Sequence, residues 1–281
     1  GRIMASEDLS EIEPPITDGT FYIRVTDTET GAIERHAIDV SVSGSPADTL
    51  ETIAAKIEAI DGLHASVGFS KLHMVSDLGY EFDFIPAPLP EPTASSLTGS
   101  APPAISVSGI YNGEGNDTLT FTVSGSGSVG NGVLRLTATN SAGAVIDTVN
   151  IGSGYAAGDT IEMANGIKFT VGGGDLNAGD SFEVDVFHTT DTSGFLTAAG
   201  INTFFSGASA SEMRVCAGVA EDPDRIATAL GGDLSDNEAA LRLVRVHDEP
   251  IDSLQGMTPN EYYQRTTANL GQEVALRQSR Q

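Results

Sequence analysis

The chain has 281 residues, which is enough for two domains that each bury a hydrophobic core. Its 39 acidic and 14 basic residues give a formal charge of −25. Nucleic acids and anionic membrane surfaces bind clustered Lys and Arg, so this charge argues against both partners. No apolar run approaches the roughly 20 residues that span a bilayer. Cys216, the only cysteine, cannot form a disulfide within the chain, and we expect a small buried thiol rather than a nucleophile.

The N-terminal part of the sequence predicts a compact α+β unit. Residues 1–18 show no periodicity, which predicts an extended lead-in. From Gly19, apolar and polar residues alternate and the pattern returns at 37–42, which predicts a β-hairpin. Ser45-Pro46 is expected to begin a helix, with serine as its N-cap. The apolar face of that helix is expected to contain Leu50, Ile53, Ala54, Ile57 and Ile60. Three strands are then expected near 64–69, 71–76 and 81–84.

The composition of the sequence changes after residue 86. The proline-rich residues 87–104 predict a linker. Residues 105–186 then carry short apolar stretches separated by Gly, Asn and Asp, without helical periodicity, which predicts an all-β sandwich-like domain. The expected strands are 118–123, 133–139, 145–151, 161–163, 167–171 and 181–186.

Helical signals return after Cys216. Asp222-Pro223 predicts an N-cap for a helix over 224–230. Ser235 with Glu238 predicts a helix through about His247, and Thr258 with Glu261 predicts another towards the end of the chain. The sequence therefore predicts a C-terminal helical segment over 217–281. Tyr263, Leu270 and Val274 form a weak heptad-like stripe on it.

Several segments resemble one known family. The run Gly200-Ile201-Asn202-Thr203-Phe204-Phe205, with the small polar residues after it, resembles flagellar hook-associated protein 1, the FlgK family of hook-filament junction proteins. Other segments follow the order of that family: Gly19–Val25, Asp48–Leu50, Ala59–Val67, Gly79–Phe82, Asp222-Pro223, Asp236-Asn237 and Met257–Tyr263. The resemblance extends over the chain except for the region near 87–187.

The resemblance implies a domain arrangement. In the family, the segment equivalent to Tyr80–Phe84 runs almost directly into the one equivalent to Asp191–Gly194, whereas about 105 residues intervene here. We therefore expect a discontinuous mixed α/β domain of residues 19–86 plus 187–216, with the sandwich inserted into one of its loops. The family's final helix continues into a bundle formed by both chain ends. The resemblance thus implies a middle fragment without those terminal helices.

The function that the resemblance implies is structural. Family members form a ring of identical subunits between the flagellar hook and filament, and leave the cell through the flagellar type III export channel. The implied partners are copies of the chain, the hook protein and the second hook-filament junction protein, without nucleic acid or membrane. The implied location is the extracellular bacterial flagellum. We expect the isolated fragment to be a monomer.

Three glycine-rich motifs carry alternative interpretations. Gly125–Gly130 matches the glycine pattern of dinucleotide-binding loops, but a strand rather than a helix is expected after it, which favours a hairpin turn. Gly172–Asp175 fails as a phosphate loop for the same reason. Gly113–Leu119 matches one copy of a calcium-binding repeat that needs several copies. Asp175 and Asp180 could contribute to a cation site, although spacing does not single them out.

We therefore expect no catalytic, cofactor-binding or metal-binding residues and no enzyme activity. The five histidines have no zinc-like spacing, and no nucleophile motif is present. Two alternatives stay open: a surface-exposed binding or adhesion module, which exposed aromatics on the sandwich would favour, and a related axial protein, either the second junction protein or a flagellin. The residues predicted to lie in the core are Phe204, Phe205, Leu50, Ile53 and Ile57.

Overall fold

The computed structural model describes residues 9–12, 14–201, 203–206, 213–231, 236–251 and 254–278. The fold is α+β, as predicted, with helices and several antiparallel sheets. Its contacts divide the chain into two compact units. The first contains the described residues up to Ile226 together with Gly231, and the second contains 227–230 and the described residues from 236 onwards.

The first elements form a small sheet with one helix. They are β1 (Gly19–Asp27), β2 (Ile33–Val40), α1 (Leu50–Glu58), β3 (Leu63–Gly68), β4 (Lys71–Ser76) and β5 (Tyr80–Asp83). β1 lies between β2 and β5, antiparallel to both, while β3 and β4 form a separate hairpin. The three later strands are thus confirmed within one residue at each end. The hairpin is confirmed too, but its second strand begins at Ile33 and ends at Val40 instead of covering 37–42.

Helix α1 begins later than predicted. Its N-cap is Thr49, whose side chain accepts from the amide of Thr52 while Thr52 Oγ1 accepts from the amide of Thr49, a capping box. Ser45 is therefore not the N-cap. The carboxylate of the preceding Asp48 binds the amide of Ser41 and the ammonium of Lys56. The predicted apolar face is confirmed: all five of its residues are buried.

The N-terminal segment belongs to the core of this sheet. Leu9–Glu11 form a turn of 3-10 helix, and Leu9, Ile12 and Ile16 are buried against β1 and α1 in one hydrophobic cluster. The prediction of an extended lead-in is wrong for these residues, because single apolar residues at irregular spacing leave no periodic signal. The first eight residues of that prediction, and residue 13, lie outside the described part.

Two segments of the chain pair with the edge of β1 that lies opposite β2. Asp83 of β5 lies opposite Arg24, and that register would place position 86 opposite Phe21. Asp191 lies opposite Phe21 instead. The amide of Tyr22 donates to Thr190 O at 2.9 Å, and Thr190 Oγ1 donates to Phe84 O at 2.6 Å. The chain thus leaves this edge after residue 84 and rejoins it at residue 190; we call residues 85–189 the insert.

A short helix follows the point of return. It is α2 (Phe195–Ala199), and its first residue stacks on Phe21 with ring centroids 5.1 Å apart. The returning chain lies so close to Gly19 that no larger residue would fit there. A Cβ at this position would lie 2.9 Å from Ser193 N and Thr192 Oγ1.

The insert is built from antiparallel sheets around a core of its own. Its strands are β6 (Ala94–Ser96), β7 (Ile105–Gly109), β8 (Asp117–Ser124), β9 (Gly127–Ser128), β10 (Arg135–Thr139), β11 (Val145–Asn150), β12 (Thr160–Glu162), β13 (Ile167–Val171), β14 (Asp175–Leu176) and β15 (Ser181–Val186). One sheet has the order β11-β10-β8-β15-β6 and another the order β12-β13-β7, and β9 pairs with β14. Phe121, Phe169 and Phe182 meet between the sheets. This buried cluster shares no residue with the cluster around β1.

Part of the predicted linker is a strand. β6 pairs with β15, and the amide of Thr93 donates to Glu183 O at 2.8 Å. The prolines stand on either side of the strand rather than in it, so no ladder donor is lost. The linker interpretation of 87–104 is wrong for these residues. The predicted domain boundaries themselves stay a prediction.

The paired phenylalanines after α2 are not core residues. Phe204 is half-buried and Phe205 is 55% exposed, whereas Leu50, Ile53 and Ile57 are fully buried as predicted. Phe205 lies in β16 (Phe205–Ser206), which pairs with β17 (Arg214–Val215) outside both hydrophobic clusters. The predicted burial of Phe205 is therefore wrong. Cys216 is half-buried rather than buried, with its sulfur 3.4 Å from Thr203 Oγ1.

Helices dominate the remaining chain, although not all where predicted. They are α3 (Ala217–Glu221), a 3-10 turn at Pro223–Arg225, α4 (Glu238–Arg245) and α5 (Pro259–Gln278). The prediction of a helix over 224–230 is wrong beyond this single turn. The start of α5 is confirmed, because Thr258 and Glu261 exchange backbone and side-chain hydrogen bonds. Ser235 lies outside the described part. α4 and α5 contain no buried residue.

Candidate interaction sites

The described residues contain no cluster suited to a metal ion. Within the described ranges, no group of three His, Cys, Asp or Glu side chains is placed to bind one. The histidines make separate contacts. His64 bridges Glu58 and Asp77 at 3.0 Å each, and His73 contacts Gly68 O at 3.2 Å. No helix in the described part is both long and apolar enough to cross a bilayer. The predicted lack of catalytic and cofactor residues stays a prediction.

The loop acids of the sandwich bind its own turns. Asp180 is buried and accepts from the amide and hydroxyl of Thr98 and from the amide of Asn177. Burial alone would raise the pKa of Asp180, but these hydrogen bonds outweigh it and lower the pKa. Asp175 accepts from the hydroxyls of Ser100 and Ser128. These carboxylates therefore stabilise the loops that contain them.

The glycine motifs occur where chain segments pass close together. Gly125 and Gly130 have positive φ in the turns around β9, and strands rather than a helix follow them. A Cβ at Gly174 would lie 2.5 Å from Ala101 O. The turn interpretation of both motifs agrees with this geometry.

Asp191 organises the point at which the chain rejoins β1. Its Oδ1 accepts from the amides of Ser193 and Gly194 and from the Ser193 hydroxyl, and its Oδ2 accepts from the amide of Leu196 at 2.8 Å. Four hydrogen bonds thus converge on one carboxylate at the start of α2. Thr192 Oγ1 also donates to Thr20 O and accepts from the amide of Thr20. Together these contacts fix Phe195 in the core.

Replacing Asp191 with alanine should destabilise this return point. We expect the free energy of unfolding to fall by about 2–4 kcal/mol, because the substitution leaves several amides without their acceptor. Urea denaturation followed by circular dichroism measures the change. The control is Asp39→Ala in β2, since Asp39 accepts one bond from the Thr20 hydroxyl at an exposed site and should cost under about 1 kcal/mol. Equal losses in both variants would contradict this role.

Two arginines lie where the insert joins the sheet. Arg24 is buried in β1, with its Nε 3.3 Å from Asp83 Oδ1. Arg35 of β2 donates through Nη2 to the carbonyl of Ala87, and its guanidinium lies 4.1 Å from the ring centroid of Phe187. The two ends of the insert are therefore held by one cationic side chain. We call Arg24, Arg35, Asp83, Ala87 and Phe187 the junction.

Two acidic residues, Asp83 and Asp185, lie near enough to act on Arg35 of the junction. Burial, with the neighbouring charge of Arg24, lowers the pKa of Arg35 to about 10. Burial also raises the pKa of Asp83, although Arg24 opposes that shift. Arg24 Nε and Arg35 Nε and Nη1 are buried without a hydrogen-bond acceptor among the described residues. The contact with Asp83 is thus an ion pair rather than a hydrogen bond. Such a cluster fixes geometry better than it adds stability.

The aromatic residues of the insert offer no exposed binding platform. All six are buried: Tyr111, Phe121, Tyr155, Phe169, Phe182 and Phe187. The Tyr155 hydroxyl, which could have contacted a ligand, donates to Asp159 O and accepts from the amide of Val171. The exposed aromatic residues that would have favoured an adhesion module are therefore absent from the insert, whose residues are all described.

The chain was compared with protein families, curated proteins and solved structures. No protein-family model matches the sequence, and no curated protein matches it. Among solved structures, the chain is similar to a crystal structure of Xanthomonas campestris FlgL, with 16% sequence identity and a TM-score of 0.22. The match covers 54% of this chain and 58% of the FlgL chain, so this chain spans less than two thirds of that protein. At this TM-score the likeness establishes neither a shared fold nor a shared role.

Proposed function

We propose that this chain is a structural subunit of the bacterial flagellum that joins hook to filament as part of a ring of identical copies. It has no catalytic role in this proposal. Its partners are other copies of itself, the hook protein and the second hook-filament junction protein. It acts outside the cell after export by the flagellar type III system, and the isolated chain is monomeric at micromolar concentration.

One observation carries the proposal. Gly19–Val25 and Asp191–Gly194 belong to the FlgK resemblance, although about 170 residues separate them in the sequence. They are neighbours in the structure: the amide of Thr192 donates to Thr20 O at 3.0 Å, and Phe21 stacks on Phe195. These two segments of the resemblance therefore pack against each other, and the insert leaves and rejoins the sheet between them.

The exposed helices of the second unit fit the same role. α4 exposes Leu241, Leu243 and Val244, and α5 exposes Tyr263 and Leu270. Amphipathic helices in globular proteins normally bury their apolar stripe. An axial helical bundle, as the resemblance implies, would cover these side chains.

Deletion of the encoding gene tests the proposal in the source bacterium. We expect cells to keep hooks but to lose attached filaments and release flagellin into the medium. A plasmid copy should restore the filaments. The control is a strain without flagellin, in which filaments are absent and no flagellin is released. Attached filaments and normal swimming in the deletion strain would refute the proposal, and loss of surface attachment alone would favour an adhesion module.

A further inference from the structure

The turn between β3 and β4 holds an aromatic side chain in solvent. Phe69 is 97% exposed, and the register pairs Gly68 with Lys71 across a two-residue turn. Phe69 and Ser70 have φ values of 52° and 59°. A type I′ turn requires such values and favours Asn-Gly, whereas a bulky side chain is strained there. Neither the strain nor the exposed ring helps the isolated chain to fold.

The surroundings of Phe69 have the opposite charge to the rest of the chain. The hairpin Leu63–Ser76 contains no acidic residue, although the whole chain carries 39. Lys71 makes no ion pair within the described residues, while the other two lysines each pair with a carboxylate. His73 lies beside it, with Nε2 3.2 Å from Gly68 O. We call Phe69, Lys71 and His73 the tip patch.

The other end of the hairpin carries an acidic patch around an exposed leucine. Leu78 is fully exposed in the turn after β4. Asp77 precedes it, and the amide of Asp77 donates to Gly62 O at 2.9 Å, which brings the exposed Asp61 close. A Cβ at Gly79 would lie 4.0 Å from Glu29 Cγ. Asp77 is already paired with His64, so Glu29 and Asp61 supply most of the negative charge. We call Leu78, Glu29, Asp61 and Asp77 the base patch.

We propose that the tip patch of one copy docks on the base patch of a second copy. Each patch offers one exposed apolar side chain, and their charges are opposite. They lie at the two ends of a hairpin of six-residue strands, about 20 Å apart. A contact between different patches is heterologous, and repetition of it closes into a ring when the rotation permits. This inference rests on the proposed function for its ring and adds the surface on which neighbouring copies meet.

The contact is weak between isolated chains. Two such small patches bury less than the roughly 800 Å² that separates incidental contacts from stable interfaces, so a dissociation constant of about 1 mM is expected. In an assembled ring, other contacts raise the effective concentration and the hairpin sets the register. The chain is therefore monomeric at micromolar concentration and associates near millimolar concentration.

Sedimentation velocity on the purified chain, from about 10 μM to 1 mM at about 0.15 M salt, tests the contact. That salt screens the long-range repulsion between two chains of formal charge −25, so the wild-type average mass should rise with concentration. F69N/S70G should weaken association at least tenfold and raise Tm by about 2 °C, because Asn-Gly suits the turn. L78S should weaken association similarly. The control is V133S, which removes an 82% exposed apolar side chain from the sandwich and should associate like the wild type.

Mixing the two defective variants tests the head-to-tail geometry. F69N/S70G keeps its base patch and L78S keeps its tip patch, so the mixture should form one-to-one dimers and nothing larger. The proposal is overturned by the absence of association at 1 mM, by unchanged association in F69N/S70G, or by wild-type association in L78S, which would indicate a tip-to-tip contact. None of these results affects the gene-deletion test, so the two proposals can fail separately.

Discussion

Phe195→Ala should lower the free energy of unfolding of the β1–α1 core by about 3–5 kcal/mol. Its ring is fully buried and stacks on Phe21 with an interplanar angle of 9°. The substitution removes that stacking and leaves a cavity that the rigid return point at Asp191 cannot close. Phe195 also anchors the chain just after the insert ends, so loss of its ring weakens the attachment of the returning chain to the sheet. Urea denaturation followed by circular dichroism measures the change.

Two matched variants locate the effect. Phe205→Ala removes the same side chain from a 55% exposed position outside both clusters and should cost under about 1 kcal/mol. Phe182→Ala opens the same kind of cavity in the sandwich core. Hydrogen exchange should then show lost protection in β1 for Phe195→Ala and in β8 for Phe182→Ala. Lost protection in both regions from either change would mean that the two cores unfold together.

Strong periodicity made part of this fold predictable. Leu50, Ile53 and Ile57 recur at helical spacing, and each faces the sheet as expected. The alternation after Gly19 correctly indicated a half-buried strand. Such patterns survive because a whole face is buried, so every residue on it contributes to the same signal.

The errors have identifiable physical causes. Phe205 is aromatic and next to another phenylalanine, but burial depends on the partner element, and β17 is only two residues long. Ser45-Pro46 has good helix-start chemistry, yet Thr49 and Thr52 form the better capping pair four residues later. Local preference was outweighed in both cases by contacts that a linear pattern does not contain.

Less of the interaction sites than of the fold could be predicted from the sequence. Arg24 lies between two apolar residues as a solvent-facing side chain would, whereas Arg35 lies between Glu34 and His36. Neither pattern indicates the contacts that the two arginines make with Ala87 and Phe187. The tip patch gave no signal either, because Phe69-Ser70 lacks the Asn-Gly pair that marks a type I′ turn. Sites made by segments far apart in sequence, or by atypical turn residues, need coordinates.

Removal of the insert should leave a folded β1–α1 unit, provided that the register is kept. Joining Phe84 directly to Thr190 deletes residues 85–189 and makes Asp191 the second residue after Phe84. That is the position that the register of β5 assigns to the residue opposite Phe21. We expect cooperative thermal unfolding with a Tm within a few degrees of the corresponding transition in the full chain. Circular dichroism and calorimetry measure it.

A deletion that is one residue longer provides the control. Joining Phe84 to Asp191 would place Thr192 opposite Phe21, and alternate side chains of the returning strand would then face the wrong side of the sheet. Thr192 could no longer exchange its hydrogen bonds with Thr20, and Phe195 would lose its place against Phe21, so we expect a loss of several kcal/mol or no folding. Equal stability of the two deletions would mean that the junction is a flexible loop.

The deletion of residues 85–189 also distinguishes two roles of the junction, which are to orient the insert and to stabilise the sheet. Without the insert, Arg35 loses Phe187 and the carbonyl of Ala87, and its guanidinium becomes exposed to water, so the cost of burying that charge disappears. A stable deletion would therefore show that the buried arginines orient the insert rather than hold the sheet together. The insert would then be an extension of one β-strand, and its direction relative to the sheet would be set by Arg35.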